Sequence, residues 1–233
     1  MTIRPESALI VGAGSGLSAS LARLFAAEGM SVALAARDPA KLAELCTQSG
    51  ATAYRCDATR QEEVAALFEL LDREGSELEV VVFNAGARVR GALETLEPDR
   101  VRDTLLGNAF AGFLVGQEAA RRMLRRGRGT ILFTGASASV KGFAQSAPFA
   151  MGKFGLRGLA QSMARELAPR GIHVAHVVID GGIATSYARS EQDRASDRFL
   201  DPDAIARSYL HLHRQPRSAW TWEIELRPWT ESF

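Results

Sequence analysis

Three glycines crowd into Gly12-Ala13-Gly14-Ser15-Gly16, directly after the apolar run Ser7–Val11 and directly before a helical pattern. In that setting glycines permit positive φ and let a phosphate approach the N–H groups of a helix N-terminus, so the chemistry expected here is dinucleotide binding. The spacing is not G-x-G-x-x-G; the strand before and the helix after carry the expectation. A second signal belongs about 20 residues on, where an acidic residue closing the next strand would hold a ribose 2′-hydroxyl. Ala36 stands there, followed by Arg37. A guanidinium without that carboxylate pairs with a 2′-phosphate in a planar fork, which favours NADP(H) over NAD(H). A solvent-exposed Arg37 with no partner is the alternative. Asp38 is assigned to capping a helix that starts at Pro39.

The elements that must position these groups alternate along the chain. Ser7–Val11, Ser31–Ala36, Ala51–Cys56, Leu78–Phe83, Thr130–Thr134, Ile172–Ile179 and Trp220–Leu226 read as strands. Most are continuous apolar runs, as in strands covered on both faces. Gly16–Glu28, Pro39–Gln48, Gln61–Arg73, Pro98–Arg126 (two helices), Ala147–Ala168 and Pro202–His213 read as helices, with Gly29, Gly50, Gly75 and Gly171 at stops. The βαβα order predicts an α/β fold: a doubly wound parallel sheet, Rossmann-like, of about seven strands with helices on both faces. With no linker or repeat, residues 1–233 are expected to form a single dinucleotide-binding domain, with a flap at about 187–201.

Composition narrows the function class. The 233 residues are 46% hydrophobic and 24% charged, and 28 Lys plus Arg against 27 Asp plus Glu leave a formal charge of +1. That balance disfavours nucleic acid and anionic membrane as partners. No stretch approaches the roughly 20 apolar residues of a membrane span. Cys46 and Cys56 alone make neither a disulfide framework nor a zinc site, so a cytoplasmic, reducing location is expected. His173 and His176, three apart in a strand, fall on opposite faces, which argues against a shared metal. Arg121, Arg122, Arg125, Arg126 and Arg128 end a helix and read as a solvated, dipole-compensating tip.

The ordered set Gly12-x-x-x-Gly16, Asp57, Asn84-Ala85-Gly86, Asn108, Lys153 and Asp180-Gly181-x-x-x-Thr185 resembles the short-chain dehydrogenase/reductase family over about residues 7 to 185. The resemblance implies that Gly12, Ser15, Gly16 and Leu17 line the cofactor phosphates and that Asp57 contacts the adenine. Asn84, Ala85 and Gly86 would flank the adenosine ribose, and Ile183 and Thr185 would hold the carboxamide end. Lys153 would bind the nicotinamide ribose. Val11, Ser18, Phe83 and Asp180 depart from the family pattern. The family is commonly dimeric or tetrameric, so a homodimer or homotetramer is expected.

The same resemblance locates two missing groups. The family places a proton-donating tyrosine four residues before the lysine, on the same helical face, and a serine thirteen residues before that tyrosine. Here those positions hold Phe149 and Ala136. A lost general acid costs about 10²–10⁴ in rate, and a lost oxyanion donor about 10²–10³ more. The catalytic candidates that remain are Lys153, Asn108 (a water relay or a structural amide) and Ser137, one residue past Ala136. Phe110, Phe113, Phe143, Phe149 and Phe154 would make the pocket apolar. Two functions are expected: an NADP(H)-dependent oxidoreductase with an altered site, reducing an activated C=C or a carbonyl of a small apolar substrate, or a catalytically silent NADP(H)-binding sensor or interaction protein.

Overall fold

Runs of Val, Ile, Leu and Ala without polar alternation become buried strands. The computed structural model describes residues 6–184 and 197–231. Among these, strands β1 (Ser7–Val11), β2 (Ser31–Ala36), β3 (Thr52–Arg55), β4 (Leu78–Phe83), β5 (Gly129–Thr134), β6 (Ile172–Ile179) and β7 (Glu223–Leu226) form one sheet. Its order is β3-β2-β1-β4-β5-β6-β7, and every neighbouring pair is parallel. The chain winds outward in both directions from β1 and β4, with Val11 beside Ala35 on one side and Phe83 on the other. The ends of β1 and β4 therefore flank the crevice where ligands of such sheets bind.

Two apolar layers clamp the sheet. On one face, helices α1 (Leu17–Ala27), α2 (Ala43–Ser49) and α7 (Pro202–His213) pack Leu21, Phe25, Leu45, Ile205 and Tyr209 over Ala8, Ile10, Leu34, Val82 and Val177. On the other, α3 (Gln61–Arg73), α5 (Ala111–Arg126) and α6 (Ala147–Leu167) pack Phe68, Val115, Met123 and Leu156 over Leu9, Val11, Val81, Phe133 and Val174. Helix α4 (Pro98–Leu105) leads into α5 through a single π-helical turn, Leu106–Phe110, so the long pattern Pro98–Arg126 is two helices on a widened joint. Among the described residues, no helix is long and apolar enough to cross a membrane.

Local departures from the sequence reading have local causes. Asp38 precedes Pro39 as expected, but its carboxylate caps nothing; it pairs with Lys41 at 3.3 Å. The first turn there, Pro39–Leu42, is a 3-10 helix, and α2 proper begins at Ala43. The last strand is shorter than its aromatic run: Trp220 follows a 3-10 turn, gives its indole N–H to the Gln215 carbonyl and stacks on His173 at 4.9 Å. The arginine cluster is largely paired within the fold. Arg121 and Arg122 meet Glu118, Arg122 also meets Asp72, and Arg126 and Arg128 meet Glu79. Thr185 and much of the expected flap lie outside the described residues.

Candidate active site

The glycine turn leaves β1 tightly. Gly12 has φ +86°, and a Cβ there would lie 2.4 Å from Ala85 Cα. Only glycine supplies both the backbone and the clearance. The Gly12 and Ala13 amides donate to the Ala35 carbonyl at 2.9 and 3.0 Å, which ties the turn to the end of β2. Gly16 precedes α1, whose N-terminus has no side-chain cap and no acidic residue in its first turn. Those N–H groups are open to an anion. Ser15 is exposed at the turn, whereas the Leu17 side chain belongs to the core.

A serine pins this turn to the next strand. The buried Ser18 hydroxyl donates to the Gly12 carbonyl at 3.2 Å and accepts from Asn84 Nδ2 at 2.7 Å. Ser18, noted in the sequence only as a departure, thus links β1 to the Asn84-Ala85-Gly86 segment, and the Asn84 amide is spent on this link.

Gly12, Arg37, Asp57, Asn84, Ala85 and Gly86 come together on one cavity of about 540 Å³ at the β1/β4 crevice. Asp57 Oδ1 accepts from the Thr59 amide at 3.0 Å and its hydroxyl at 2.8 Å. Burial raises the Asp57 carboxyl, but those bonds and the charges of Arg37 and Arg60 outweigh it and hold the group below the usual carboxylate range. Arg37 is exposed at the rim, with no ion pair to it among the described residues. Ile183 lies apart from the cavity, bridging to Leu200 and packing on the core.

At the far end of the crevice, α6 delivers Lys153. It is 5% exposed, its Nζ donates to the Thr134 carbonyl at 2.8 Å, and burial pushes its amine down to about 8. Phe149 lies one turn earlier, with its ring centroid 5.9 Å from that nitrogen. Asn108 sits in the π-helical turn, where its Nδ2 donates to the Ala87 carbonyl at 2.7 Å and the Thr104 carbonyl at 2.8 Å. Its Oδ1 has no partner among the described residues. That oxygen and the Lys153 nitrogen both face Gly86, where a Cβ would stand 3.2 and 3.7 Å from them. Asn108 is therefore a structural strut through its amide, with a free acceptor toward the lysine.

Ser137 opens a 3-10 turn close to Asp180, and its hydroxyl helps to lower that carboxyl. Asp180, just past β6, also meets Lys141 at 3.2 Å and Arg227 at 3.3 Å. Burial raises its carboxyl, and these partners bring it below the ordinary value. Of the five phenylalanines expected around the pocket, Phe110, Phe113, Phe143 and Phe154 are exposed, and Phe110 stacks on Phe113; Phe149 is the one beside Lys153. Arg88, which the motifs did not single out, lies with its Cζ 5.2 Å from the Phe149 ring centroid.

Behind Thr134 a second polar chain braces the site. Arg157 grips Glu223 through two bonds of 2.6 and 2.8 Å, and Glu223 reaches His176 Nδ1 at 3.0 Å. The His176 ring presses on Gly135, where a Cβ would lie 2.4 Å from Nε2. Burial drives this imidazole down to about 4, so it is neutral at pH 7. His173 instead bonds the Thr221 carbonyl at 2.8 Å. Among the described residues, no three His, Cys, Asp or Glu side chains form a metal site.

A tight glycine turn, an uncapped helix end and an exposed arginine with no ion pair among the described residues fit a nicotinamide dinucleotide. The sequence matches the short chain dehydrogenase family over residues 6–196. It is 30% identical over 196 residues to 3-oxoacyl-[acyl-carrier-protein] reductase MabA of Mycobacterium avium, covering 84% of this chain and 74% of that protein. Among solved structures, a short-chain dehydrogenase from Rhodopseudomonas palustris is 39% identical with a TM-score of 0.85, covering 97% of this chain and all of that one. A metagenomic short-chain oxidoreductase in complex with NADP is 26% identical with a TM-score of 0.83, covering 97% and 98% of the two chains.

Proposed function

The chain belongs to the short-chain dehydrogenase family, and on that premise we propose that it is a cytoplasmic, NADP(H)-dependent oxidoreductase with an altered active site. Its proposed reaction is reduction of a carbon–carbon double bond conjugated to a carbonyl in a small substrate. The observation that carries this reading is the pairing of a furnished nucleotide cleft with Phe149 beside Lys153, where a phenol would protonate an alkoxide.

The roles follow from the chain's own groups. The N–H groups of the turn Gly12–Gly16 and of the uncapped α1 would hold the pyrophosphate. Asp57 would meet the adenine, and Asn84, Ala85 and Gly86 the adenosine ribose. Arg37 would take the 2′-phosphate. Lys153 would hold the nicotinamide ribose, Asn108 Oδ1 being the acceptor nearby, and Ile183 and Thr185 the carboxamide. The bound nicotinamide supplies hydride transfer. Phe149 offers no proton, so hydride delivery to the β-carbon of an enone, which leaves a delocalised enolate, fits this site better than delivery to a ketone carbon, which leaves a localised alkoxide. Proton delivery then falls to solvent, with Ser137 the candidate hydroxyl from the chain.

Exposed Phe110, Phe113, Met151 and Phe154 on the α5–α6 side support assembly into a homodimer or homotetramer, since adjacent apolar side chains of this size mark contact surfaces. Free Cys46 and Cys56 agree with a reducing compartment.

Thermal unfolding with NADPH and with NADH, followed by NADPH oxidation assays on ketones and conjugated enones, tests the proposal. A Tm rise that is larger with NADPH, together with turnover of enones over ketones, is expected. Stabilisation without any oxidation supports the sensor instead, which the lost hydroxyls also fit. No nucleotide effect on Tm overturns both.

A further inference from the structure

We propose that the substrate carries a carboxylate conjugated to its reacting carbon, and that Arg88 holds it. The inference deepens the oxidoreductase reading and rests on it. Arg88 lies on the segment that leaves β4 after Gly86, at the Lys153 end of the crevice rather than at the Arg37 end. Its guanidinium carbon stands 5.2 Å from the centroid of Phe149, the same ring that has Lys153 Nζ at 5.9 Å. Two cations thus converge on one aromatic ring.

No acidic side chain among the described residues pairs with Arg88. Asp180, the buried carboxylate just past β6, is already answered by Lys141 at 3.2 Å and Arg227 at 3.3 Å. The Arg88 side chain is exposed, and no ion pair answers its charge among the described residues. A guanidinium resting against a ring keeps its planar edge of N–H donors free, and that edge matches the two oxygens of a carboxylate. The Phe149 ring beside it is a flat apolar surface suited to a short conjugated chain. Together they describe a small unsaturated or oxo acid rather than a neutral ketone. Arg88 would bind and orient that acid.

The probe is 4-oxopent-2-enoate, which carries an enone and a carboxylate, compared with its methyl ester. Binding is read by ligand-detected saturation-transfer NMR on the full chain, with and without NADP⁺, and the NADPH dissociation constant is measured separately. The acid is expected to bind at least about tenfold more tightly than the ester, the scale of one charge-assisted hydrogen-bonding pair. Arg88→Gln is expected to erase that preference and leave NADPH affinity unchanged. Equal binding of acid and ester, no binding of the acid at millimolar concentration, or a preference that survives in Arg88→Gln overturns the inference. Failure to bind NADPH would overturn the oxidoreductase reading, whereas the acid-against-ester comparison without cofactor still decides the role of Arg88.

Discussion

Lys153 and Phe149 share one face of α6, with the amine 5.9 Å from the ring centroid and its hydrogen bond given to the Thr134 carbonyl. A phenol on that ring would have a cation beside it, the environment that makes a tyrosine a better acid. Phe149→Tyr combined with Ala136→Ser is therefore expected to raise ketone reduction by about 10² or more. Each single variant should give less. Initial rates of NADPH oxidation with simple ketones check this, and an unchanged double variant would show that more than two hydroxyls separates this site from a ketone reductase.

Nucleotide choice should turn on Arg37. Arg37→Asp replaces the cation at the cavity rim by the carboxylate that suits a 2′-hydroxyl. NADPH affinity is expected to fall about tenfold or more while NADH affinity holds or improves. Titration of both nucleotides by intrinsic tryptophan fluorescence measures the ratio, and a ratio that does not move removes Arg37 from the cofactor site.

The glycine turn offers a matched pair of substitutions. Gly12→Ala forces a side chain into φ +86° and toward Ala85 at 2.4 Å, whereas a Cβ at Gly14 meets nothing within 4 Å. Gly12→Ala is expected to destabilise the fold by about 1–3 kcal/mol and to abolish NADPH-dependent stabilisation. Gly14→Ala should leave the fold near wild type. Urea unfolding of the two variants, with and without NADPH, reads both effects.

Stability should fall on mild acidification. Burial lowers the imidazoles of His173, His176 and His213, the second of them to about 4. The unfolded chain takes up these protons first, so stability is complete above about pH 6.5 and is lost as pH falls toward 4. For His176 the loss by pH 4.5 is roughly 2–3 kcal/mol. His176→Gln should flatten this limb in urea titrations at pH 7 and 5; an equally steep limb would assign the effect to other groups.

Phe113→Glu places a charge on the exposed apolar side of α5 and is expected to shift the chain from oligomer to monomer in light scattering. A wild-type chain that is already monomeric at micromolar concentration would refute the assembly.

The sheet and most helix limits were legible because each rests on local pattern: continuous apolar runs gave β1, β2, β4 and β6 their bounds, and Gly50 and Gly171 take left-handed φ at helix stops. The candidate cleft is legible in part, since Gly12, Arg37, Asp57 and Asn84 meet on one cavity. What spacing did not reveal depends on contacts across long stretches of chain. Ser18 bonds Asn84, Arg157 grips Glu223, and Arg88 lies over Phe149. Asp38 caps nothing because the capping pattern before a proline assumes an α-helical first turn, and the chain makes a 3-10 turn there. Four of the five phenylalanines are exposed, and composition says nothing about the direction a side chain takes.

The two apolar layers that clamp the sheet take nothing from Phe149, Ala136, Arg88 or Ser137. Reactivity is thus mounted on the rim of a frame that does not depend on it. Substitutions at these four positions would leave the packed frame standing.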